Sequence, residues 1–160
     1  MKLKSILLFI WVIFCQIFIL NNIQFNGYIN PYYYIIFILF LKKKIPSSTI
    51  LILSFITGFT IDIFCDSYGI HTIASVLIGY LKILSTSRID SEESHELYNM
   101  PIKRFIITIS YFIFFHHFTL FFLEYYSFKE FFNIIKTTLL SGIFTLALCI
   151  MHKMLNKSQL

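Results

Sequence analysis

Six apolar runs alternate with short polar breaks along this chain. The first is "SILLFIWVIFCQIFIL", Ser5 to Leu20, behind Lys2 and Lys4. The second, "INPYYYIIFILFL", runs from Ile29 to Leu41 and is closed by Lys42, Lys43 and Lys44 ahead of Pro46. The third contains Asp62, the fourth contains Gly79, and the last two follow "STSRIDSEESHELYNMP", Ser85 to Pro101, which reads as an exposed loop. A hydrocarbon core of about 30 Å is crossed by roughly 20 helical residues, fewer when flanking side chains snorkel. The pattern therefore predicts an all-α integral membrane protein with six transmembrane helices at about 5–20, 29–45, 47–65, 70–84, 102–122 and 131–151. The loop 85–101 is expected on the cytoplasmic side, and residues 1–160 form one polytopic domain. Pro31 suits the first turn of the second helix, where its missing N–H costs nothing. Three consecutive tyrosines beside it suit a membrane–water boundary. The first run is too long for a signal-peptide core and no small-x-small site follows, so it is expected as a retained span.

Composition agrees with the pattern. Of 160 residues, 58% are hydrophobic and 13% charged, with twenty Phe and ten Tyr. Soluble domains carry about 25% charged residues; little sequence remains outside the apolar runs, so no separate soluble catalytic domain is expected. The formal charge of +5 does not point to nucleic acid, because the basic residues stand at the ends of apolar runs. With a cytoplasmic N-terminus, 11 of the 13 basic residues fall on the cytoplasmic side and only Lys129 and Lys136 on the other. The opposite orientation inverts the positive-inside rule, so both termini are expected in the cytoplasm. Cys15, Cys65 and Cys149 lie far apart, without metal spacing or a disulfide pattern, and read as small apolar fillers.

The stretch "TGFTIDIFCDSYGIH", Thr57 to His71, carries the most conspicuous polar groups. An aspartate at the centre of a membrane helix costs roughly 2.5 to 3.5 kcal/mol, less near an end, where counting places Asp62. Asp62 and Asp66 are four apart and share a helical face if the helix continues that far. One reading is a proton or cation site built from both carboxylates. The other, favoured by Gly58, Gly69 and His71 around the pair, is structural: Asp62 accepts hydrogen bonds from a neighbouring span and Asp66 caps the turn before the fourth helix. Glycines allow close helix approach and tight turns.

His116 and His117 are adjacent and point about 100° apart on a helix, so interfacial or interhelical hydrogen bonding is expected rather than a metal site. No nucleophile elbow, phosphate loop or paired aspartates on separate helices is present. No catalytic residue, metal or cofactor is expected.

Gly58-x3-Asp62-x6-Gly69-x-His71, continuing into "ASVLIGYLK" (Ala74 to Lys82), resembles the bacterial rod-shape-determining MreD family. Gly69, Ile70 and His71 stand where that family often has Gly-Leu-His. "LNNIQFNGYINPYYYIIFILFL" is similar to the start of MreD proteins in which a "PY-x-Y" step opens the second span. The resemblance covers most of the chain, with specific motifs between Leu20 and Lys82 and mainly hydropathy beyond. Lys42–Lys44 replace a Leu-Pro step, and no extra glycine follows Asp66. The resemblance implies a fold similar to the substrate-binding subunits of energy-coupling-factor transporters. It implies a non-enzymatic subunit of the cell-wall elongation machinery in the bacterial inner membrane, acting with an MreC-like protein. An MreB-like filament and peptidoglycan-synthesising membrane enzymes are further expected partners, directly or indirectly. Gly58, Asp62, Asp66, Gly69, His71 and Gly79 are its candidate structural or interaction residues.

Two other functions are open to the sequence. A small-solute binding or transport subunit would use Asp62 in its site, and an ion or proton channel would depend on Asp62 or His116.

Overall fold

A computed structural model describes residues 3–23, 29–42, 44–87 and 97–156. Most of the hydrophilic loop at 85–101, and the charges of Lys2, Lys43, Arg88 and Lys157, lie outside the described residues. Helices account for nearly all the regular structure described. They are α1 (Leu3–Phe14), α2 (Ile35–Phe40), α3 (Ser47–Cys65), α4 (Ile70–Ser87), α5 (Ile102–Tyr125) and α6 (Phe131–Asn156). Helix α1 continues through a widened π turn, Cys15–Ile19, and a tight 3₁₀ turn, Leu20–Asn22.

Proline sets two of the boundaries. Pro46 and Pro101 stand immediately before α3 and α5 with extended backbone, and their carbonyls accept the first helical bonds from Ile50 and Phe105. A proline N–H would have no partner at a helix start, so its absence there is harmless. Helices α3 and α4 form a tight hairpin, α5 and α6 form a second, and α4 packs against α5. Among the described residues, four helical stretches are long and apolar enough to cross a membrane: Ser5–Asn22, Ser47–Cys65, Ile102–Tyr125 and Phe128–Leu155. The apolar part of α4, Ile70–Ser85, is shorter.

The span expected at 29–45 is not a membrane-length helix. Only Ile35–Phe40 is helical, about 9 Å of rise against a core of about 30 Å. Pro31 does not open this helix but lies in the irregular stretch before it. Proline removes one N–H and pushes the preceding residue away from helical backbone angles. The stretch survives without helical bonds because the bundle encloses it: Tyr34, Ile35, Ile36 and Ile38 are all 0% exposed. Asn30 lies beside Ser141, Tyr32 beside Thr145, and the Tyr33 hydroxyl reaches His152. The segment therefore runs along α6 in the same direction, as the hydrophobic centre of the bundle.

Candidate functional site

Helix α4 begins at Ile70, so Gly69 occupies the capping position, where a Ser, Thr or Asp would ordinarily accept the N–H groups two and three residues on. Glycine has no side chain to do this. Asp62, near the end of α3, supplies the acceptor instead. Its Oδ1 accepts from His71 N at 3.0 Å and its Oδ2 from Thr72 N at 2.8 Å. The Thr72 hydroxyl donates to Oδ2 at 2.5 Å and the Ser67 hydroxyl to Oδ1 at 2.6 Å. Four donors thus engage both oxygens of one carboxylate, placed where the positive end of the α4 dipole favours a negative charge.

Gly58 lies one turn before Asp62 and meets the same turn of α4. A Cβ there would stand 2.5 Å from the His71 carbonyl oxygen and 2.5 Å from Thr72 Cα, so only glycine permits this approach. One turn earlier again, Ser54 lies against Gly79, whose added Cβ would collide with the Ser54 hydroxyl. The i+4 spacing Ser54, Gly58, Asp62 on α3 thus meets the backbone of His71 and Thr72 and, further along, Gly79 on α4 as a close seam. Gly69 makes the connecting turn at φ +91° and has nothing within 4 Å of where a Cβ would lie.

The two aspartates are not brought together. Helix α3 ends at Cys65, and Asp66 takes a left-handed conformation with φ 51° and an exposed side chain. The cap on α4 belongs to Asp62, not to Asp66. The structure thus assembles Gly58, Asp62, Gly69, His71 and Gly79 at one helix–turn–helix junction and leaves Asp66 on its rim.

A second polar region holds the irregular segment. The π turn in α1 carries Gln16, which is 0% exposed and has its amide fully engaged. Its Oε1 accepts from Tyr33 N at 2.8 Å, and its Nε2 donates to the Pro31 carbonyl at 3.0 Å and to Asn21 Oδ1 at 2.8 Å. From α6, the Ser141 hydroxyl accepts from Asn30 N at 3.1 Å and the Thr145 hydroxyl from Tyr32 N at 3.0 Å. Side chains thereby complete the backbone groups that a helix would have paired internally. At the other end of the segment, the Lys82 ammonium donates to the carbonyls of Ile38, Leu39 and Leu41. A cation there complements the C-terminus of α2.

Among these holding residues only Lys82 stands out in the sequence, where it counts toward the cytoplasmic charge; its side chain is buried. Gln16 could have been found as the lone amide in the first apolar run. His116 and His117 are both 0% exposed. Of the interfacial and interhelical placements left open by the sequence, the buried one holds: His116 bonds to Tyr34 at 2.8 Å and His117 to Thr145 at 3.0 Å.

No group of three or more His, Cys, Asp or Glu is arranged to hold a metal ion among the described residues. Among the described residues, fold and junction together define an all-helical protein with several helices of membrane-crossing length. Neither a family model, a curated protein nor a solved structure matches the chain.

Proposed function

We propose that this chain is an MreD-like, non-enzymatic subunit of the bacterial cell-wall elongation complex, crossing the inner membrane six times with both termini in the cytoplasm. It would scaffold or regulate peptidoglycan synthesis through lateral contact with an MreC-like protein. The observation that supports this over a transport role is the state of Asp62. Both its oxygens are engaged by Ser67, His71 and Thr72, so a solute or cation at this carboxylate must first strip the cap from α4. Of the residues that carry the family resemblance, Gly58, Asp62 and Gly69 support one structural task, the closure of the α3–α4 hairpin.

Membrane embedding is supported by the outward flanks of the helices. Ile10, Trp11 and Phe18 on α1 and its continuation, Phe59 and Ile63 on α3, and Ile143 on α6 are all exposed, apolar side chains of the kind that lipid would cover. Six crossings require the segment at 29–41 to count as one. Irregular backbone is acceptable at membrane depth when it is buried in protein, which is the condition this segment meets.

Co-purification and cell shape test the proposal together. Wild-type protein is expected to capture an MreC-like protein from solubilised membranes of its own host, and its depletion is expected to turn rods into spheres. Asp62→Ala should lower capture along with the folded fraction. Normal shape after depletion, with no MreC-like protein captured, would rule the proposal out. A defined small ligand bound by wild type and lost in Asp62→Asn would favour a solute-binding subunit instead.

A further inference from the structure

Beside the α3–α4 junction, which supplies His71, three histidines from two helices close around the tyrosines of the buried segment. Tyr34 Oη lies 2.8 Å from Nδ1 of His71 on α4 and 2.8 Å from Nε2 of His116 on α5. A phenol has one proton, so Tyr34 donates to one imidazole and accepts from the other. The bridge therefore needs one of those two ring nitrogens unprotonated. His117 Nδ1 lies 2.9 Å from the Ile113 carbonyl, which can only accept, so that nitrogen carries the proton. Its Nε2 then accepts from the Thr145 hydroxyl at 3.0 Å, a proton shared with the Ser141 carbonyl at 3.1 Å, while Thr145 accepts from Tyr32 N. With the Thr145 proton turned toward His117 all three rings are neutral, and the segment is tied to α4, α5 and α6.

An added proton on His116 has nowhere good to go. Nδ1 of His116 is buried without a hydrogen-bond partner, so a proton placed there has no acceptor. A proton on the bridging nitrogen makes Tyr34 accept twice and displaces its own hydroxyl hydrogen. The His71, His116 and His117 rings lie 5.3, 6.0 and 5.2 Å from the Tyr32 ring, and His116 and His117 are 5.3 Å apart. Two charged imidazoles at such separations repel strongly in a water-poor interior. The nearby carboxylate, Asp62 on α3, meets His71 through the backbone amide and already has both oxygens engaged. The other titratable groups facing the cluster are Tyr32 and Tyr34 themselves, Cys65 at the end of α3 and Glu124 near the end of α5. Gln16 of α1 and Ser141 and Thr145 of α6 do not titrate.

We propose that the His71–Tyr34–His116 bridge, with His117 beside it, is an acid-responsive clasp that seats the segment 29–41 when neutral and loosens it when two of the three imidazoles are charged. The proposal stands on this geometry and is independent of the MreD-like function.

Hydrogen exchange of the full-length protein in lipid nanodiscs tests it, following peptides from 29–41 between pH 8 and pH 5 with the intrinsic rate corrected. Protection of the segment is expected to fall by about tenfold or more on acidification and to return on neutralisation, while peptides from 47–58 in α3 keep theirs. The double variant His71→Gln, His116→Gln is expected to flatten this response. Should it fail to fold, Tyr34→Phe removes the bridge while keeping all three histidines, and is expected to be loosened already at neutral pH. Constant protection of the wild-type segment across the range overturns the proposal, as does an equal acid response in the double variant.

Discussion

Thr72 donates twice to one oxygen of Asp62, from its amide at 2.8 Å and from its hydroxyl at 2.5 Å, across the junction of two helices. The carboxylate that caps α4 thus comes from the preceding helix rather than from the residue before the first turn. Folding of α4 is tied to its packing on α3, because the cap exists only when the hairpin is closed.

Replacing Asp62 separates charge from capping. Asp62→Ala leaves the His71 amide without an acceptor in a buried setting and should cost about 1–3 kcal/mol. Asp62→Asn keeps one acceptor oxygen and should cost less. Denaturant titration of both variants in mild detergent, followed by circular dichroism, checks the order; equal losses would mean that charge rather than the acceptor matters.

Gly58 and Gly79 line the same seam but should respond differently to a methyl group. At Gly58 the obstructing atoms are backbone atoms of His71 and Thr72, which cannot rotate away. Gly58→Ala should therefore lower stability by about 1–3 kcal/mol through overpacking. At Gly79 the obstruction is the Ser54 side chain, so Ser54→Ala should recover part of the loss in Gly79→Ala. A double-mutant cycle on thermal unfolding midpoints measures that recovery, and strict additivity would show that the seam is looser than described.

Gln16 is expected to matter more than any other polar group of α1. Gln16→Leu is close in size but leaves the Tyr33 amide buried and unpaired, at a cost of about 1–3 kcal/mol. The local consequence should be faster amide exchange over 31–35 than over α3. Unchanged exchange in that stretch would remove Gln16 from its role in holding the segment.

Lys82 offers a test at the other end of the segment. Lys82→Met keeps the apolar stem and removes the donors to the carbonyls of Ile38, Leu39 and Leu41. Loss of the charged cap should destabilise the protein by about 1–3 kcal/mol, and Lys82→Arg should recover part of it. Protease accessibility just after Leu41 reads the end of α2 directly; no change in cleavage would leave the lysine a peripheral charge.

Much of the junction was legible in advance because its signals are local. Gly58 and Asp62 stand one helical turn apart, and Gly69 marks a turn before His71, so the hairpin follows from spacing alone. The assignment of the cap to Asp66 failed for a specific reason: α3 stops at Cys65 and the chain turns left-handed at Asp66. A left-handed aspartate is common enough at helix ends, but nothing in the sequence says which of two acidic residues will face the incoming helix.

The apolar runs, the prolines ahead of α3 and α5, and the glycine before α4 were enough to determine helices, their starts and the α3–α4 hairpin, since each depends on neighbours a few residues away. Hydropathy reports only that a residue avoids water. It cannot distinguish lipid from protein interior, and that distinction decides the fate of "INPYYYIIFILFL". Tertiary structure alone made this run an enclosed, largely non-helical core segment, because its backbone partners are Gln16, 17 residues back from Tyr33, and Ser141 and Thr145, 111 and 113 residues ahead of Asn30 and Tyr32. The same distances explain why the histidines that meet Tyr34 could be seen in the sequence as buried hydrogen-bonding groups, but not as a bridge.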